Sequence, residues 1–184
     1  MTYNFVREPL NHEESDRIVN ACRSFREKLV VWTLLDTGLR VGEFCNLKRD
    51  QIQWQENRIT VWGKGGRFGL RGKRRIVPLT LRVQKLFEIY FSTNERICLS
   101  VRSAQRTVKK VANRAAISKT VTPHVLRHSF AINCVKSGLS TTSLRKILGH
   151  DRLETTEIYL NISPEDALGE FFRKVESTRR NRWE

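Results

Sequence analysis

Residues 51–66 read QIQWQENRITVWGKGG. Their rhythm differs from everything around them. Ile52 and Trp54, then Ile59 and Val61, alternate with polar residues on either side of Glu56-Asn57. A period of two on both sides of a turn pair predicts a β-hairpin. KRRIVPLT (73–80) continues as a third strand. Between the second and third strands lies GKGGRFGLRGK (63–73), which holds five glycines and no acid. Such a stretch is too glycine-rich for regular structure and predicts a flexible basic loop.

On both sides of this hairpin the pattern is helical. NHEESDRIVNACRSF starts at Asn11, a helix N-cap followed by acids in the first turn. EKLVVWTLLDTGLR is nearly continuous apolar sequence ending at Gly38, a buried helix with a glycine stop, and VGEFCNLKRD adds a short helix. Beyond the third strand, TLRVQKLFEIYF and SVRSAQRTVKKVANRAAI repeat apolar residues at helical spacing, the second with a strip of Arg and Lys outside. TPHVLRHSFAINCVKSG has a Thr122 cap, Pro123 at the first helical position and a stop at Gly138. STTSLRKILGH runs from Ser140 to Gly149. LETTEIYLNIS and SPEDALGEFFRKVE predict two further helices. The expected fold class is therefore α+β, mainly helical, with a small three-stranded antiparallel sheet beside a helical bundle.

The bulk properties narrow the function. The chain has 184 residues, 34 Lys and Arg against 19 Asp and Glu, a net charge of +15 and a pI near 10.3. Such a field attracts polyanions, nucleic acid first. No apolar run approaches the ~20 residues of a membrane span, and the N-terminus lacks a signal pattern, so an intracellular, DNA-associated protein with no membrane partner is expected. Cys22, Cys45, Cys98 and Cys134 form no CxxC pair and are expected as buried free thiols.

Three cationic side chains in TPHVLRHSF (122–130) carry the chemistry. His124 and His128 have the i, i+4 spacing of a metal-binding helix. No acid lies between Asn113 and Asp151, however, which suits an anion better than a divalent cation. Arg127 offers a planar fork for two phosphate oxygens, and the helix N-terminus adds amide donors. Upstream, Arg40 follows the glycine stop in TGLRVGE, with Glu43 three residues on to orient it. Lys64 lies between glycines at a strand end. His150 follows the Gly149 stop, and Tyr159 sits nine residues later.

Together, TGLRVGE, the GKG before RRIVPL, TPHVLRHSFA and LGHDRLETTEIYL resemble the catalytic domain of tyrosine recombinases, the phage-integrase and Xer-type superfamily. The resemblance runs from about Asn11 to Phe172. It implies an enzyme that cleaves and rejoins DNA through a 3′-phosphotyrosyl intermediate, with no metal and no cofactor. By position, Arg40 and Arg127 resemble the arginines that clamp the scissile phosphate. His124 and His150 resemble the flanking histidines, Lys64 the hairpin lysine, Tyr159 the nucleophile and Glu43 the acid supporting the first arginine. Lys73 competes with Lys64, because the loop is longer than the family's usual turn. Arg67, Arg71, Lys73, Arg74 and Arg75 are expected to contact DNA. The implied partners are double-stranded DNA and further copies of the chain, a tetramer in the synaptic complex. The expected organisation is an extension or linker at 1–10, the catalytic domain at 11–176 and a basic tail at 177–184. Recombining members usually carry a further N-terminal helical domain. A type IB topoisomerase-like DNA-relaxing enzyme and a non-catalytic DNA-binding domain are the alternatives.

Overall fold

The computed structural model describes residues 8–63 and 74–149. Helix α1 (His12–Asn20) starts in a reciprocal cap: the Glu14 amide donates to Asn11 Oδ1, and the Asn11 amide donates to Glu14 Oε2, each at 2.8 Å. Helix α2 (Phe25–Thr37) repeats the device with Ser24 and Glu27 and ends at Gly38, which takes a left-handed φ of 62°. Leu29, Val30, Val31 and Leu34 of α2 are buried, so this helix is apolar on most of its circumference. It packs against α4 (Leu81–Phe91), α5 (Val101–Arg114) and α6 (Pro123–Lys136). The short helix α3 (Val41–Cys45) follows directly on Gly38 and Leu39. Helix α7 (Thr141–Leu148) ends at Gly149, φ 65°.

The hairpin forms as its alternation predicts, with strand order β1 (Ile52–Gln53), β2 (Arg58–Trp62), β3 (Arg74–Pro78), all antiparallel. Strand β1 is shorter than expected. Trp54 already belongs to the turn, which closes through Asn57 at φ 50°, a conformation that Asn tolerates well. Ile59 pairs with Val77, Val61 with Arg75 and Trp62 with Arg74. Ile59, Val61, Arg75 and Val77 are buried, while Trp62, Arg74 and Ile76 lie exposed on the other face.

Helix α6 joins two apolar clusters. Val125 and Leu126 enter the main core, while Phe130, Ala131 and Val135 meet Leu144 and Leu148 of α7 in a smaller one. Ser129 ties the N-terminal segment to α6, since its Oγ accepts from the Leu10 amide and donates to Val125 O, each at 2.8 Å. Cys22 and Cys45 are buried free thiols and Cys134 is half-buried, but Cys98 is exposed, because it falls in the loop between α4 and α5. Among the described residues no helix is long and apolar enough to cross a membrane. The expected helices at 153–163 and 163–176 lie outside the described residues.

Candidate active site

The C-terminus of α7 organises the site. The last carbonyls of a helix have no partner within it, and they carry the negative end of its dipole. Here three arginines from three different elements meet three successive carbonyls. Arg75 Nε donates to Ile147 O at 2.9 Å, Arg127 Nη2 to Leu148 O at 2.7 Å and Arg40 Nη2 to Gly149 O at 3.3 Å. Arg127 also donates from Nη1 to Gly38 O, the carbonyl of the α2 cap. Both glycine caps are crowded against this machinery. A Cβ on Gly38 would lie 2.4 Å from the Phe130 ring, and one on Gly149 2.6 Å from Arg75 Cδ.

Glu43 sits among these arginines. Its Oε2 accepts the Arg40 amide at 2.7 Å and its Oε1 the Arg40 Nη1 at 3.0 Å. Arg75 grips both oxygens, at 2.6 and 2.7 Å. Burial alone would raise the Glu43 carboxyl. The hydrogen bonds and charge of Arg75, helped by Arg40, outweigh burial and hold it below the usual carboxylate range. Glu43, expected to orient Arg40, accepts hydrogen bonds from both its amide and its guanidinium.

An open groove of about 1480 Å³ lies over this cluster, lined by Arg40, Trp62, Arg74, His124, Arg145 and Lys146 among others. His124 enters it from the first turn of α6, where Pro123 and the Thr122 cap fix the helix start. Among the described residues no group of three or more His, Cys, Asp or Glu could hold a metal ion. His128 is largely buried one turn along α6, and burial lowers its pKa.

Of the expected site residues, Arg40, Glu43 and His124 line this groove, while Arg127 is buried on the Gly38 and Leu148 carbonyls. Arg74 is exposed at its edge. Arg75 differs from its expected role as a DNA contact. Its side chain is only 6% exposed and is turned inward to Glu43, because it occupies a core-facing position of β3 opposite Val61. Lys64, Arg67, Arg71, Lys73, His150 and Tyr159 lie outside the described residues. Arg145 and Lys146 were not singled out by sequence reading. Their position in the last turn before the Gly149 stop was the available signal.

Residues 8–166 match the family model described as the phage integrase family. The chain belongs to that family. The tyrosine recombinase XerA of Pyrococcus horikoshii is 31% identical over 168 residues, covering 84% of this chain and 56% of the relative. The chain therefore spans little more than half the length of the relatives it matches. A crystal structure of XerA recombinase superposes with a TM-score of 0.76 at 30% identity, over 90% of this chain and 64% of that one. XerH, a site-specific recombinase whose structure is described as a post-cleavage complex with a palindromic difH substrate, shares the fold (TM-score 0.71, 21% identity, 88% of this chain and 52% of that one). The tyrosine-recombinase catalytic fold, mainly helical with one small sheet, is thus the fold of this family member.

Proposed function

We propose that this chain performs site-specific DNA recombination by cleaving and rejoining double-stranded DNA through a 3′-phosphotyrosyl intermediate. One observation carries the reading: two arginines distant in sequence, Arg40 and Arg127, are fixed on adjacent carbonyls at the end of α7, where Arg40 and His124 line a basic groove. In phosphodiester cleavage, negative charge grows on the non-bridging oxygens, and cations fixed in advance stabilise it most. The Tyr159 hydroxyl attacks phosphorus and loses its proton to a base, a role assigned to His124 with His150 alongside. The bond to the 5′ oxygen breaks, and that oxygen takes a proton from Lys64, with Lys73 as the competing donor. The 5′ hydroxyl of the exchanging strand then attacks the phosphotyrosine and releases Tyr159. The number of phosphodiester bonds is unchanged, so the cycle needs no ATP. Exchange between two duplexes cuts four strands, hence four protomers in the synaptic complex. Arg67, Arg71, Lys73 and Arg74 supply contacts to the DNA backbone, whose binding falls steeply with salt.

The test is a library of nicked suicide duplexes with randomised arms, read as a denaturant-resistant protein–DNA adduct. Wild type forms the adduct on a subset of sequences, and Tyr159→Phe forms none. An adduct that survives Tyr159→Phe removes the nucleophile assignment. Relaxation of plasmid without sequence preference favours the topoisomerase-like activity. Binding without an adduct on any duplex favours a DNA-binding domain.

A further inference from the structure

Arg75 is, with Arg127, one of two buried arginines of the site, and it has no place in the chemistry above. Its guanidinium spends three donors inside the protein, two on Glu43 and one on Ile147 O. Its two bonds to Glu43 are shorter than the single side-chain bond from Arg40, which shares Oε1 at 3.0 Å. The exposures divide the work: the Arg75 side chain is 6% exposed and the Arg40 side chain 42%. One carboxylate thus joins an inward arginine to an outward one.

We propose that Arg75 is a positioning residue for the phosphate clamp: by holding Glu43 and the end of α7, it sets the place of Arg40 and preserves Arg40's positive field. Both halves follow from the contacts. Glu43 fixes the Arg40 backbone and guanidinium, and Arg75 is what orients the Glu43 carboxylate. The same α7 terminus that Arg75 grips through Ile147 O supplies the Gly149 and Leu148 carbonyls to Arg40 and Arg127. The charge follows the same connections. A carboxylate facing Arg40 alone would cancel the field meant for a phosphate. With Arg75 bidentate on it, its charge is already met, and the cluster holds three cations against one anion. Gly149 fits this role, since a side chain there would collide with Arg75 Cδ at 2.6 Å.

The proposal rests on the DNA-cleaving reading for its activity arm only. The variants are Arg75→Gln and Arg75→Lys in the full chain, with Arg114→Gln as a control that breaks the comparable pair at Glu27. The first readout needs no DNA: side-chain nitrogen NMR of Arg40, assigned by the signal lost in Arg40→Lys. Arg75→Gln should move the Arg40 signal into rapid exchange, Arg75→Lys should restore part of its order, and Arg114→Gln should leave it unchanged. The second is single-turnover adduct formation, which should slow by about 100-fold in Arg75→Gln with DNA affinity little changed, as expected when a reacting geometry is lost. If Arg75→Gln does not fold, Arg75→Lys and Gly149→Ala carry both readouts. An unchanged Arg40 signal in the folded variants overturns the proposal. So does an equal slowing in Arg114→Gln. A wild type that forms no adduct on any DNA, with the Arg40 signal still lost in Arg75→Gln, removes the cleavage reading and leaves the positioning role standing.

Discussion

Glu27 and Glu43 are built alike and serve different ends. Each is the third residue of a helix, caps its own N-terminus and is gripped at both oxygens by an arginine from elsewhere in the chain. Each also has a second, more exposed cation: Lys110 at 3.6 Å from Glu27 and Arg40 at 3.0 Å from Glu43. Around Glu27 the remaining contacts are inward. Arg114 also donates to Ala21 O, and the Arg23 amide donates to the carboxylate, so the hub pins α1, α2 and α5 together. Around Glu43 the outer cation faces the groove and the α7 carbonyls. The same local device is therefore a staple when its second cation ends in solvent and part of a site when that cation ends at a cluster of aimed donors.

The widest separation between the two hubs is expected from Arg40→Ala. Adduct formation should fall about 100-fold to 1000-fold, as for loss of one donor to a developing oxyanion. Thermal unfolding should register less than about 1 kcal/mol, because the side chain is 42% exposed. A wild-type rate in Arg40→Ala would remove Arg40 from the chemistry.

Next come the two carboxylates. Glu43→Ala leaves the buried Arg75 guanidinium uncompensated and should cost about 3–5 kcal/mol in denaturant unfolding, besides slowing the adduct. Glu27→Ala strands the partly exposed Arg114 and should cost less, about 1–3 kcal/mol, with the adduct rate unchanged below the melting range. Equal effects on the rate would erase the distinction.

Acid should act on both hubs with one sign. The hydrogen bond from Arg114 leads in lowering the Glu27 carboxyl to about 2. A carboxyl lower in the folded than in the unfolded chain contributes stability that is full above the unfolded value and lost as pH falls through the folded one. For Glu27 that window runs from pH 4.5 to about 2. Its contribution is on the order of 2 kcal/mol at most once solvent screening is allowed for. Urea unfolding across this range should show a shallower pH slope in Glu27→Gln than in wild type, and an unchanged slope would place the acid sensitivity elsewhere.

The smallest effect belongs to Lys110→Ala. Lys110 is the counterpart of Arg40, but its side chain is 70% exposed at the solvent end of its pair. Stability should change by less than about 0.5 kcal/mol and adduct formation not at all, both measurable beside Arg40→Ala. A rate defect here would bring the Glu27 hub into the site.

Much of this was legible because it is local. Asn11, Thr122 and Ser140 each cap the helix that follows, and Gly38 and Gly149 each end one in a left-handed turn. Glu43 lies three residues from Arg40, within reach of short-range logic. Arg75 was misread because Ile76, an apolar residue beside it, faces outward, which disguises the strand's phase. Counting by two from the buried Val77 turns Arg75 inward, but only once Val77 is known to be buried. Arg145 and Lys146 escaped notice for another reason: which face of α7 looks onto the groove depends on its packing against α6 and β3.

The three arginines on Ile147, Leu148 and Gly149 also set a limit on how this protein can change. An α-helix turns about 100° and rises 1.5 Å per residue. Inserting or deleting one residue in Thr141–Leu148 would rotate all three carbonyls away from donors anchored on α3, β3 and α6. The residue count of α7 is therefore not free to vary. The helix works as a ruler whose last three marks are read from three sides.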